Sequence, residues 1–250
     1  MVMKKDTSWK QVGKWYDEIV SRGGHTYHKE VIFPELKKWY SFKKTDAILD
    51  LGCGQGILAR ELPKGVDYLG IDAAKPLIQK AKGYSKHRFI VGDVTKPLNL
   101  EQKDFSHAFI ILALQNMGEG ETAILNGAKH LRKGGKLILI LNHPCFRIPR
   151  QSSWGVDEGK KLQYRRIDRY YSPMEIPIQM HPSQKEKSEK TFSYHHPIST
   201  YSKWMVNSGL SITKLEEWCS HKSSTGKWAK MENRAREEFP LFLALEGTIR

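Results

Sequence analysis

The sequence predicts an α/β fold built on a doubly wound, mostly parallel sheet, and three observations carry that expectation. Short apolar runs that read as strands alternate with helical patterns from Ala47 to the end of the chain, the order that joins parallel strands by crossover helices. Residues 105–116 are too continuously apolar to be half exposed, which marks a central strand covered on both faces. Residues 47–60 run from an apolar stretch through alternate glycines into a Leu-, Ala- and Arg-containing stretch, a strand, a tight turn and a helix start. At 250 residues the chain makes one sizeable domain with an appended cap and buries a core without staples.

Taken in order, residues 9–20 and 27–42 show apolar residues at helical spacing on either side of Arg22-Gly23-Gly24, so two helices precede the first strand. The expected division is a helical cap over 1–45, a cofactor-binding core over 46–149, an inserted lid over 150–190 and the rest of the core over 191–250.

The turn after the first strand is the chemically informative element. Its glycines permit positive φ and let a ligand approach the main chain with no Cβ in the way. A dinucleotide fingerprint requires a small residue where Ile57 stands, because helix and strand pack closely there. Asp50, at the end of the strand, repels a pyrophosphate and welcomes a cation. No Gly-Lys-Ser/Thr follows, so a Walker loop is excluded. S-adenosylmethionine, with a sulfonium, an ammonium and no phosphate, meets these conditions.

The stretch Asp50-Leu51-Gly52-Cys53-Gly54-Gln55-Gly56 resembles the first motif of the class I S-adenosylmethionine-dependent methyltransferases, in the style of the type 11 branch that acts on small molecules. A second strand over 66–72 ends in Asp72, about twenty residues past the glycines, the offset at which a carboxylate meets ribose hydroxyls. A third over 88–94 contains Asp93, which the resemblance puts beside the adenine. It implies a Rossmann-like sheet of seven strands, the last one antiparallel at 239–246. It also implies a cofactor-binding set of Asp50, Gly52, Cys53, Gly54, Asp72, Ala73, Asp93, Val94, Ile111 and Gln115. Gln115 ends the fourth strand where the family turns a polar residue to the transferring methyl. The N-terminal helices would lie over the cofactor, with Tyr27 reaching its methionine end.

Beyond the fourth strand, residues 121–132 read as a helix, and Lys133-Gly134-Gly135-Lys136 resembles the Pro-Gly-Gly turn before the family's fifth strand, with Lys133 in place of proline. That strand, 136–141, opens into Asn142-His143-Pro144. Ligands of open α/β sheets bind beyond such carboxyl ends, so His143 stands as the candidate general base, against the alternative that it pins the following turn. Residues 150–190 lose periodicity and are long for a connection, with aromatics and cations alternating over 163–171 and a polar tip over 181–190; the family inserts its acceptor lid here. A helix over 198–208, ended by Gly209, precedes a strand over 210–218. Residues 218–238 read as irregular, and 239–249 as the closing strand.

Composition narrows the function further. Apolar runs such as 137–141 are far too short to span a bilayer, and the polar start carries no secretory segment. Three widely spaced cysteines suit reduced thiols in the cytoplasm. The adjacent His195 and His196 have no further ligand at metal spacing, so no metal is expected. The net charge of +14 is spread along the chain without a cationic block. The expected activity is methyl transfer to an O, N or C atom of a small molecule. An RNA or protein acceptor, on charge, and a non-catalytic cofactor-holding partner subunit remain alternatives. A nicotinamide dehydrogenase is opposed by Ile57 and Asp50.

Overall fold

In the computed structural model, residues 26–179 and 190–250 are described. The expected helix over 9–20 and nearly all of the polar tip over 181–190 lie outside them. A π-helical turn, His28–Ile32, runs into α1 (Phe33–Trp39). Pro34 explains the wide turn: it offers no N–H and its ring crowds the carbonyl four residues back, and the Phe33 N–H bonds back to the His28 carbonyl.

The sheet strands follow as β1 (Ala47–Leu51), β2 (Asp67–Asp72), β3 (Arg88–Val91), β4 (Phe105–Ile111) and β5 (Leu131–Asn142). Between them lie α2 (Ile57–Glu61), α3 (Lys75–Tyr84) and α4 (Gly120–Lys129). Two hairpins then leave the sheet, β6 (Ser152–Asp157) with β7 (Leu162–Ile167), and β8 (Met174–Gln179) with β9 (Lys190–His195). The chain returns through α5 (Ile198–Asn207), β10 (Leu210–Trp218), α6 (Ala229–Glu238) and β11 (Phe242–Ile249). Seven strands pair in the order β10-β11-β5-β4-β1-β2-β3, with β11 antiparallel to both neighbours. The fold is the Rossmann-like α/β sheet that the sequence predicts.

Period-two alternation divides the core into two layers. Ile48, Tyr68, Phe109, Ile138, Ile140, Phe242 and Ala244 face α1 and α2. Leu49, Leu51, Ile71, Ala108, Ile110, Leu139 and Leu245 face α4 and α5. The end of α1 is tied to the sheet by the Tyr40 hydroxyl, which donates to the buried Glu246 carboxylate. Chain order reverses between β1 and β4, so the switch crevice opens at the glycine turn.

One expectation fails outright, because α6 occupies part of the stretch read as irregular. This helix buries only Ala235, so it has no apolar stripe to read. It is held instead by side chains: Asn233 Oδ1 accepts from the Ser224 N–H at 2.7 Å, and Arg236 donates to Ser224 Oγ and Asn233 Oδ1. The last strand starts at Phe242 rather than 239, just after Pro240, which has no N–H for a ladder. Among the described residues no helix is long and apolar enough to cross a membrane, and no metal-holding cluster occurs.

Candidate active site at the carboxyl ends of β1 to β5

The turn after β1 is made possible by left-handed glycines at Gly52, Gly54 and Gly56, with φ of 77°, 55° and 72°. A Cβ on Gly52 would stand 2.6 Å from Ala113 Cβ and 3.0 Å from Met117 Cε, so turn and fourth strand touch through that glycine. Most of the turn's N–H groups are engaged internally. Gly52 and Cys53 donate to the Ile71 carbonyl at 2.7 and 3.1 Å, Gly54 to Asp72 Oδ2 at 2.9 Å, and Gly56 to the Cys53 carbonyl. With α2 only five residues long, the turn is no phosphate cradle. Carboxylates dominate it instead.

Asp50 is 3% exposed, and its Oδ2 accepts from the Tyr68 hydroxyl at 2.7 Å. Burial pushes its carboxyl up to about 7, against the Tyr68 bond, with Asp72 adding to the rise. Asp72 accepts from Gly54 and, through Oδ1, from the Ala74 N–H at 2.8 Å. Burial raises its pKa while these two bonds oppose the rise. Ala73, between them, is half-buried.

A small cavity of about 30 Å³ brings together Asp50, Gly52, Cys53, Gly54 and Ile111 of the expected set with His28, Phe33, Ile57 and Leu58. Asp72 joins it through the Gly54 N–H. A groove of about 880 Å³ lies elsewhere, between the end of α3 and the start of β3. It is open and holds none of the expected residues, several of which gather at the smaller cavity instead.

The remaining residues fall outside that cavity. Asp93 closes its own turn, accepting from the Thr95 N–H at 3.0 Å and Thr95 Oγ1 at 2.6 Å, with Lys96 Nζ at 3.2 Å. Val94 is buried, and its carbonyl accepts from Asn126 Nδ2. Gln115 donates through Nε2 to the Leu112 carbonyl at 2.9 Å, leaving its buried Oε1 with no partner among the described residues.

Tyr27 does not line the cavity. Its ring meets Phe242 and His221 edge-on, at 5.6 and 5.8 Å between centres, so it faces β11. Its neighbour His28 takes the place by the glycines, and a helix start read from sequence carried no signal choosing between the two rings. Leu112, just past the end of β4, has a φ of 51°, which is unusual for a non-glycine and marks a strained bend.

His143 differs from a free base. It is 1% exposed, Nδ1 accepts the Cys145 N–H at 3.1 Å, and Nε2 donates to Glu217 Oε1 at 2.6 Å. Burial lowers its pKa, with Glu217 opposing. A ring with both nitrogens engaged has no lone pair left for an acceptor proton, so the geometry is that of a pin on the turn before Pro144.

A doubly wound sheet with two carboxylates, buried Asp50 and half-buried Asp72, at its switch-point turn offers a cation a place to bind. Comparison with known proteins gives the family. Residues 49–139 match the methyltransferase domain. The chain is 26% identical over 201 residues to carboxy-S-adenosyl-L-methionine synthase of Desulfotalea psychrophila, covering 70% of this chain and 80% of that one. It is 29% identical over 139 residues to O-methyltransferase resE of Aspergillus sclerotiorum, covering 46% and 51%. A solved S-adenosylmethionine-dependent methyltransferase from Mesorhizobium loti superposes with a TM-score of 0.66 at 23% identity, over 86% of this chain and 96% of that one. Residues 49–139 thus form a methyltransferase domain by that match, and the sheet around them has the fold of S-adenosylmethionine-dependent methyltransferases.

Proposed function

We propose that this enzyme moves a methyl group to an O, N or C atom of a small molecule in the cytoplasm, with its cofactor along the carboxyl ends of β1 to β3. The observation that carries the reading is the cavity where Asp50, the glycine turn and Ile111 meet. When bound, S-adenosylmethionine supplies an electrophilic methyl on a sulfonium, open to in-line displacement. Asp50 offers that cationic end a carboxylate, Asp72 stands where ribose hydroxyls would be received, and Asp93 with Val94 lies at the adenine end. Gln115 Oε1 gives the fourth strand a hydrogen-bond acceptor at the reacting end. Acceleration comes mainly from holding donor and acceptor at near-attack distance, and His143 serves as a positioning residue.

A small acceptor is supported by the two curated relatives, one named an O-methyltransferase and the other a synthase of a modified S-adenosylmethionine. Three free thiols suit a reducing compartment. The two hairpins between β5 and α5 are proposed as the acceptor lid. Calorimetric titration tests the cofactor part: S-adenosylmethionine and S-adenosylhomocysteine bind and NAD does not. NAD binding with no response to either sulfur compound would reverse the assignment. Methyl transfer from labelled cofactor to a panel of phenols, amines and acids, set against bulk RNA and protein, tests the acceptor class. Label appearing only in RNA or protein would sink the small-molecule reading.

A further inference from the structure

We infer that the acceptor carries an oxyanion, a carboxylate or a phosphate ester, and that Arg147 holds it beside Tyr27 and Phe242; this rests on the acceptor site lying beyond β5, as proposed above. Arg147 follows the turn pinned by His143 and folds back over the strand end. Its Nη1 donates to Asn142 Oδ1 at 2.8 Å. Its guanidinium carbon lies 5.4 Å from the Phe242 ring centre and 5.9 Å from that of Tyr27. A guanidinium has five N–H donors, and among the described residues the Arg147 guanidinium meets only the Asn142 side chain as a hydrogen-bond acceptor.

The surroundings are cationic. Burial is the main cost to the Arg147 charge; Tyr27 offsets part of it, and nearby Arg165 adds to it. Among the described residues Arg165 itself bonds only neutral oxygens, the Phe146 carbonyl at 2.7 Å and Ser152 Oγ at 2.8 Å, while its guanidinium carbon lies 5.0 Å from the centre of the Trp154 ring. Lys222 Nζ lies 5.4 Å from the centre of the Tyr27 ring. Among the described residues none of these three cations has a carboxylate partner, since Glu217 is turned to His143. Half-buried guanidinium groups without a counter-charge are costly. The ligand that completes them is a planar or tetrahedral oxyanion, which a guanidinium fork grips in two-pronged fashion, and the flanking rings suit a flat body behind it.

The position also fits the reaction. Tyr27 adjoins His28, which lines the glycine cavity. Ile111 of that cavity pairs with Ile140, two residues before Asn142, so strand spacing and rise put Ile111 and the Asn142 that Arg147 bonds about 8 Å apart. An acceptor anchored at Arg147 therefore extends its other end toward the cofactor.

The test uses protein saturated with S-adenosylhomocysteine, titrated at low salt with benzoate, phenyl phosphate and benzamide. At least one anion is expected to bind tenfold or more tighter than benzamide, and the stronger of the two tells carboxylate from phosphate. Arg147→Gln should abolish the preference while S-adenosylhomocysteine binding stays within twofold. Arg147→Lys, which keeps the charge but loses the fork, should weaken the anion at least threefold and serves where the glutamine variant does not fold. Equal binding of all three probes by the parent, or a preference that survives in a folded Arg147→Gln protein, would overturn the inference alone. Failure of the parent to bind S-adenosylhomocysteine would overturn the cofactor reading and this inference with it.

Discussion

The ends of β1 to β3 and the end of β5 lie on the same edge of one sheet but are built in opposite ways. On the first side a few consecutive residues per strand do the work. Asp50 and the glycine turn are one stretch, and Asp72 accepts two main-chain N–H groups, from Gly54 and Ala74. On the second side the groups come from far apart. Tyr27, Arg147, Arg165, Lys222 and Phe242 meet through rings and cations, and His143 finds Glu217 seventy-four positions away. On the function proposed above, backbone turns and strand-end acids hold a ligand common to many enzymes, whereas long side chains on separate segments can be exchanged without disturbing the sheet. The difference teaches where generality and specificity reside in this molecule.

The largest effect should come from closing the glycine turn. Gly52→Ala adds a side chain at positive φ, at about 1–2 kcal/mol, and a clash with Ala113 of about 1–3 kcal/mol. Stability measured in urea should fall by the sum, with cofactor binding lost; a variant within 0.5 kcal/mol of the parent, by the usual error of additivity, would mean that β4 does not press on the turn. Asp72→Ala comes next and should weaken cofactor binding by about 1.5–3 kcal/mol, the worth of charge-assisted hydrogen bonds. Unchanged affinity in a titration would move the ribose away from β2.

Asp50 sharpens the contrast through pH. Its carboxyl is held up to about 7 by burial, and a cationic ligand favours the ionised form. Affinity for S-adenosylmethionine should therefore be full above pH 7 and decline as pH drops below it, by at most about tenfold per unit. Asp50→Asn should remove the slope, and a flat profile in the parent would show that the cation sits elsewhere. The smallest effect is expected at His143. Its replacement by Gln should cost about 1 kcal/mol, one partly exposed hydrogen bond, and leave the acid limb of the turnover profile in place. A hundredfold loss of turnover at unchanged melting temperature would instead make it the base.

What the sequence by itself determined is the part of the molecule governed by short range. Alternation along β1, β4 and β5 fixes which side chains face each layer, because a strand's pleat repeats every two residues. The glycines after β1 and the acids near the ends of β1, β2 and β3 are set by local backbone needs, so their placement could be read directly. What only the tertiary structure decided depends on which segments meet. Tyr27 and His28 are neighbours at a helix start, and the wide turn before Pro34 decides that His28 reaches the glycines while Tyr27 turns to Phe242. The role of His143 follows from Glu217 at the end of β10, a partner invisible until the sheet closes. Helix α6 is held by Ser224, Asn233 and Arg236 rather than by an apolar face, so no hydrophobic period announces it. Patterning reports burial, but the pairing of polar groups across the fold is settled only once the chain has packed.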